Sequence, residues 1–209
     1  QPFLYQLCNT ILGTVEQEKY LGVLLSQDVS WSHHINKVTT KAHQKLGFIR
    51  RNLKGSPQEC KQLAYIALVR SGLEYASVIW DPHLKKDSDS KAARWVKSSY
   101  DRQTSVTQLL KDLQWDSLQE RRKQQRLVFL YKILNDQVAV PANSIDITLQ
   151  QRASRGDTNK QKLYRLRTKT TEFQKSFVHR TIIDWNSLPQ SVAQAGTVSV
   201  FKSRLSSLP

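Results

Sequence analysis

The chain has 209 residues, 39% apolar and 23% charged, with a formal net charge of +15. That length suffices for one large or two small domains with a buried core, and the composition is that of a soluble globular class with some solvated segments. No run approaches about 18 apolar residues and no basic-then-apolar leader opens the chain, so membrane spanning and secretion are unsupported.

The charge is uneven. Residues 1–82 hold 9 Lys/Arg against 6 Asp/Glu, residues 83–149 hold 12 against 8, and residues 150–209 hold 11 against 3. The last third therefore supplies about half of the excess, and a basic surface of this size attracts polyanions by counterion release. Cys8 and Cys60 stand alone, which argues against a disulfide framework or a Cys-rich metal site and fits a reducing, intracellular setting, nuclear or cytoplasmic. With no methionine and with Gln1 running straight into Pro2, Phe3 and Leu4, the chain reads as a piece of something longer.

In chain order, Phe3–Cys8 and Thr10–Val15 read as two short strands hinged at Cys8-Asn9. The continuous apolar run Tyr20-Leu-Gly-Val-Leu-Leu25 reads as a buried strand, with Gly22 marking a bulge or a close backbone approach. From Ser30 the period changes. Ile35, Val38, Ala42, Leu46, Ile49 and Leu53 draw one stripe along a helix that Ser30 or Ser32 can cap and that Gly55 ends as a left-handed residue. Lys37, Lys41, Lys45 and Arg51 lie largely off that stripe as a basic flank, with Arg50 closer to it.

Ser56-Pro57-Gln58-Glu59 is a capping box that opens the next helix, whose predicted buried face is Leu63, Ala64, Ala67, Leu68 and Leu73. Gly72 is a possible break, and Asp81-Pro82 stops the run after Trp80. Residues 84–90 are polar and turn-rich, a linker. A short helix over 104–113 follows. Asp116-Ser-Leu-Gln119 then caps a long helix to about Asp136, with Leu127, Leu130, Tyr131 and Leu134 buried and Arg122, Lys123 and Arg126 exposed. Residues 144–175 show little periodicity, apart from a possible strand over 163–167. Two terminal helices complete the chain, one around Phe177–Leu188 ended by Pro189 and one with Thr197 as its cap. The fold class is mainly α with a small N-terminal β-hairpin unit.

Little here carries catalysis. His33 and His34 are adjacent on a helix, point about 100° apart and cannot share one metal comfortably, so they read as polar residues of a first helical turn. Asp81-Pro82-His83 reads as a helix stop. No phosphate-binding Gly loop, nucleophile elbow or His-Glu-x-x-His is present. No strand-borne carboxylate pair for two-metal chemistry appears either. Nucleic-acid contact is better supported. Across 152–180, Tyr164, Phe173 and Phe177 are interleaved with nine basic residues, among them Arg152, Arg155, Lys162, Arg165 and Arg167, against two acids. Cations neutralise phosphates and aromatic faces stack on bases, although Phe173 and Phe177, four apart, suit a core equally. The lysine flank of the first long helix is the second such surface.

These phrases, in this order, resemble the region that follows the catalytic core in reverse transcriptases of LINE-type (non-LTR) retrotransposons. The match runs through Lys19-Tyr-Leu-Gly-Val23, Ser30-Trp31 with His34-Ile35, Leu46-Gly-Phe48 and Arg50-Arg-Asn-Leu53. It continues in Ala67-Leu-Val-Arg70, Leu73-Glu-Tyr-Ala76, Trp80-Asp-Pro82 and Ala92-Ala-Arg-Trp95. Arg121-Arg122, Leu130-Tyr-Lys-Ile133 and Asp184-Trp-Asn-Ser-Leu-Pro189 extend it nearly to the end.

The resemblance implies a primer-grip-like hairpin at Tyr20, Leu21 and Gly22. It implies a helical thumb over 30–82 packing on a duplex through Lys37, Lys41, Lys45, Arg50 and Arg51. Beyond a linker at 83–90 come a helical region (91–143), a basic irregular segment (144–175) and terminal helices (176–209). The family's Tyr-x-Asp-Asp turn and partner aspartate, which hold magnesium in the intact polymerase, would lie upstream, so no cofactor is expected in this chain. Implied partners are an RNA–DNA hybrid or duplex, without sequence choice, and the upstream palm and fingers, with no membrane. Where the family carries a longer helical lead-in, Asp87-Ser-Asp-Ser90 stands here, as after a deletion. The alternatives are a non-functional mobile-element relic and a domesticated helical nucleic-acid-binding module.

Overall fold

Two antiparallel hairpins precede a set of helices in the computed structural model, which describes residues 5–81, 88–101, 104–145, 147–150, 161–165, 167 and 170–208. The fold is mainly α with small N-terminal hairpin units. Strand β1 (Gln6–Leu7) pairs with β2 (Thr10–Ile11) across Cys8 and Asn9, at φ +47° and +64°. Strand β3 (Gln17–Tyr20) pairs with β4 (Val23–Ser26), Gln17 opposite Ser26 and Tyr20 opposite Val23. Both turns have positive φ at the two central residues, the hand that matches strand twist.

The apolar run at 20–25 is thus not a buried strand. Leu21 (φ +45°) and Gly22 (φ +87°) fold it back on itself, all of β3 is exposed, and only Val23 of the run is fully buried.

Helix α1 (Ser32–Asn52) buries His34, Ala42, Leu46 and Ile49, the predicted stripe with a histidine added. Ser30 Oγ accepts the Ser32 N–H at 3.2 Å. Gly55 is not left-handed; the helix closes through Leu53 (φ −110°), whose N–H bonds to the Ile49 carbonyl. The second long helix starts where the sequence indicates, as α2 (Gln58–Ala64). Its capping-box side-chain bonds are not made. It continues through a π-helical turn, Tyr65–Arg70, into α3 (Ser71–Glu74), unbroken at Gly72.

The buried positions of this segment are Lys61, Tyr65, Val69 and Leu73, spaced by four, whereas Leu63, Ala67 and Leu68 face out. An α-helix with such a spacing would rotate its stripe by about 40° per turn. The wider i→i+5 turn absorbs that drift, which is why the face predicted from α periodicity was displaced. Helix α4 (Ser77–Trp80) ends at Asp81, which is extended before Pro82.

Then come α5 (Ser88–Val96), α6 (Val106–Asp112), α7 (Leu118–Leu134), a 3₁₀ turn at Ala142–Ile145, α8 (Thr171–Gln174), α9 (Phe177–Asn186), α10 (Gln190–Ala193) and α11 (Val198–Ser206). Helix α7 is capped one residue later than predicted, by Ser117 Oγ on the Glu120 N–H. Thr197 caps α11 as expected, through the Val200 N–H. Among the described residues of the possible strand at 163–167 there is one bridge, Leu149 with Leu163.

Two cores result. The first joins α1 and the 65–73 segment to α5, α6 and Leu118 at the start of α7, with Tyr65 stacked on Trp115 at 4.8 Å. The second gathers the later turns of α7 with Leu163, α9, α10 and α11, where Phe201 stacks on Tyr131 at 4.5 Å. Helix α7 belongs to both. Among the described residues no helix is long and apolar enough to cross a membrane.

Candidate nucleic-acid interface

A two-stranded hairpin with an exposed face is marginal alone, so its supports matter. Tyr75 leaves the end of α3 in extended conformation (φ −57°, ψ 124°), and Ala76 after it is left-handed. That reversal throws the tyrosine ring outward. Its hydroxyl donates to the Leu21 carbonyl at 2.8 Å, and its ring lies against Gly22, where a Cβ would sit 3.3 Å from Cε1. The close approach predicted at Gly22 is therefore made by the protein's own tyrosine. The other end of Tyr75 is held as well, its carbonyl accepting from the Trp80 indole at 2.8 Å.

Trp80 is fully buried, its ring 5.0 Å from that of His34. His34 is buried rather than a solvated first-turn residue, and its Nδ1 accepts the Leu24 N–H from β4 at 3.1 Å. Only the unprotonated nitrogen can accept. Burial first and the Lys37 charge second hold the imidazole below its ordinary value of 6.5. His33, beside it, is exposed.

The predicted lysines flank this assembly. At 3.6 residues per turn, Lys37, Lys41, Lys45 and Phe48 project within about 60° of the His34 direction, whereas Arg51 lies about 100° and Arg50 about 160° away. All of these except His34 are exposed. Lys45 reaches over Gly72, one turn before Tyr75, where a Cβ would sit 4.0 Å from the ammonium. Tyr20 (66% exposed), Leu21 (73%), Tyr75 (57%) and Phe48 (58%) thus border a row of three lysines, with Arg50 and Arg51 left outside it. Neither periodicity nor charge singles out Tyr75 or Phe48 in the sequence; both lie inside phrases that carry the resemblance.

The other basic surface is separate. Leu163 is gripped by Asn186, which accepts its N–H at 2.8 Å and donates to its carbonyl at 2.9 Å, so this segment is tied to the second core. Beside it Lys162 is half-buried, and Tyr164, Arg165 and Arg167 are exposed. Arg152 and Arg155 lie outside the described residues. Phe177 is half-buried, edge-on to Phe129 at 5.7 Å, a packing role.

Asp81, Asp184 and Glu74 are held by arginines. Asp81 and Asp184 share Arg126, which bonds Asp81 and, at 2.8 Å, Asp184. Arg180 reaches the Asp81 carboxylate at 3.0 Å and its carbonyl at 3.1 Å. Arg126, predicted to be exposed, is 4% exposed. Its pKa falls below the ordinary value through burial first and the Arg180 charge second. Each carboxylate is committed to a guanidinium, an arrangement that fixes helices rather than moves protons. Glu74 is similarly held by Arg121, and Arg122 donates to the Leu73 carbonyl while lying over Trp80 at 5.2 Å. A cleft of about 410 Å³ between α4, α7 and α11 contains none of the predicted contact residues. Among the described residues no group of three or more His, Cys, Asp or Glu could hold a metal ion.

No family model matches this chain, and no curated protein or solved structure shows significant similarity to it.

Proposed function

We propose that this chain is the primer-grip, thumb and following region of a non-LTR retrotransposon reverse transcriptase, and that it holds a primer–template by its backbone without itself extending it. The observation that carries this reading is the exposed, clamped tip at Tyr20, Leu21 and Gly22 beside the lysine row of α1. Lysines four apart on a helix stand about 5–6 Å from one another and can meet successive phosphates along one strand. Tyr20 and Phe48 add faces for sugars or bases, a contact that needs no sequence. The magnesium-holding carboxylates of such a polymerase would come from its palm, so synthesis is assigned there.

Binding of a labelled RNA–DNA hybrid across a salt series tests the reading. The wild-type chain should bind, with log K falling linearly against log salt. Lys41→Glu with Lys45→Glu should weaken binding about tenfold or more and flatten the slope by roughly 2. Unchanged affinity and slope in the double variant would move the contact to Lys162, Arg165 and Arg167. No binding at low salt would leave the relic reading in place and remove the domesticated module together with the polymerase part.

A further inference from the structure

Among the described residues the β3–β4 hairpin has no third strand, and its turn is poorly suited to its sequence. Leucine at φ +45° occupies a region that a bulky side chain enters only when its surroundings impose it. The surroundings that do so are three residues: Tyr75 after α3, His34 of α1 and Trp80 of α4. Tyr75 takes the Leu21 carbonyl and covers the bare α-carbon of Gly22. His34 takes the Leu24 N–H. Tyr20 and Val23 are the last pair before the turn and Lys19 pairs with Leu24, so that N–H points away from β3, at the open edge of the hairpin. Trp80 braces both supports, donating to the Tyr75 carbonyl and packing its ring on His34. The path from Leu21 through Tyr75, Trp80 and His34 to Leu24 closes on itself.

We infer that Tyr75 and His34 are positioning residues that lock the Leu21–Gly22 tip onto the helical body from both sides, so that it meets nucleic acid as a fixed ridge. This rests on the primer-holding reading for its purpose, though not for its geometry. Neither side chain needs to touch the ligand. Their effect should be felt at a primer terminus, which the tip would hold, and not along a continuous hybrid, which the α1 lysines would hold. The strain at Leu21 fits such a role, because a tip held against its own preference stays where its supports put it.

Two measurements on the full chain test this. The first is amide hydrogen exchange in Tyr75→Phe, which keeps the ring and loses only the hydroxyl, and in His34→Phe, which keeps a ring of similar size and loses the acceptor. Exchange across 21–24 should quicken about two- to tenfold in each, the worth of one hydrogen bond, while the buried α1 amides around Leu46 and Ile49 stay protected. The second compares binding to a hybrid with a recessed 3′ end and to a continuous hybrid of equal length. Tyr75→Phe should lose the preference for the recessed end and keep the affinity for the continuous one. Exchange at 21–24 unchanged in both variants, or quickened equally throughout α1, overturns the clamp. A wild-type chain indifferent to the 3′ end overturns the primer-holding reading instead, and the exchange result still decides the clamp.

Discussion

Arg126 leaves water with its two terminal nitrogens met by two carboxylates, the first of which Arg180 shares, while its Nε is buried without a hydrogen-bond partner. Removing one partner of such a network strands the others. Arg126→Met should therefore lower unfolding stability by about 3 kcal/mol, read as a shift in the urea midpoint; a shift near zero would mean that a well-packed apolar side chain replaces the network without loss. His34 makes the second residue-scale prediction. Its neutral form is the one the fold selects, so the folded pKa lies below 6.5 and the unfolded chain binds the proton more readily. The contribution is complete above about pH 6.5 and is lost as pH falls through that value toward the lowered folded one. Melting temperatures across this window should drop in the wild type and flatten in His34→Phe; parallel curves would show that His34 does not carry the dependence. Neither residue was legible in its role. Arg126 lies on the charged side of a helix whose burial is set by chain 45 and 58 residues away, at Asp81 and Asp184.

At the scale of elements, the sequence marks where helices begin and end better than which side they bury. The start of α2, the cap of α11 and the stop at Asp81 follow from local chemistry, since Ser, Thr and Pro act within a turn of themselves. The buried face of 58–74 does not, because the π turn at Tyr65–Arg70 is a tertiary adjustment that sequence periodicity cannot register. The hairpin at 17–26 failed for a related reason. Tyr-Leu-Gly-Val has the apolar continuity of a buried strand, and Leu21 in a left-handed turn contradicts its own propensity. Gly22, by contrast, is required twice, by φ +87° and by the tyrosine ring. Gly22→Ala should open the hairpin locally by about 1–2 kcal/mol, seen as faster limited proteolysis between 17 and 26. Cleavage at the wild-type rate would show that the turn accepts a side chain.

For the whole molecule, the phrases that carry the resemblance turn out to touch one another. Leu73-Glu-Tyr-Ala76, Trp80-Asp81, Arg121-Arg122 and Asp184 converge on the early half of α7, the helix that joins both cores. One uninterrupted helix with Leu118 in the first core and Leu127, Leu130 and Tyr131 in the second should couple their unfolding. Probes at Trp115 and Trp185 should report coincident denaturant transitions; two separated transitions would contradict the coupling. Lysine acylation footprinting distinguishes the α1 surface from the basic segment beside Leu163. With a saturating RNA–DNA hybrid, Lys37, Lys41 and Lys45 should be protected together, with Lys132 and Lys202, which line the cleft, still reacting. Protection confined to Lys162, with the α1 lysines reacting as they do in the free chain, would contradict the account.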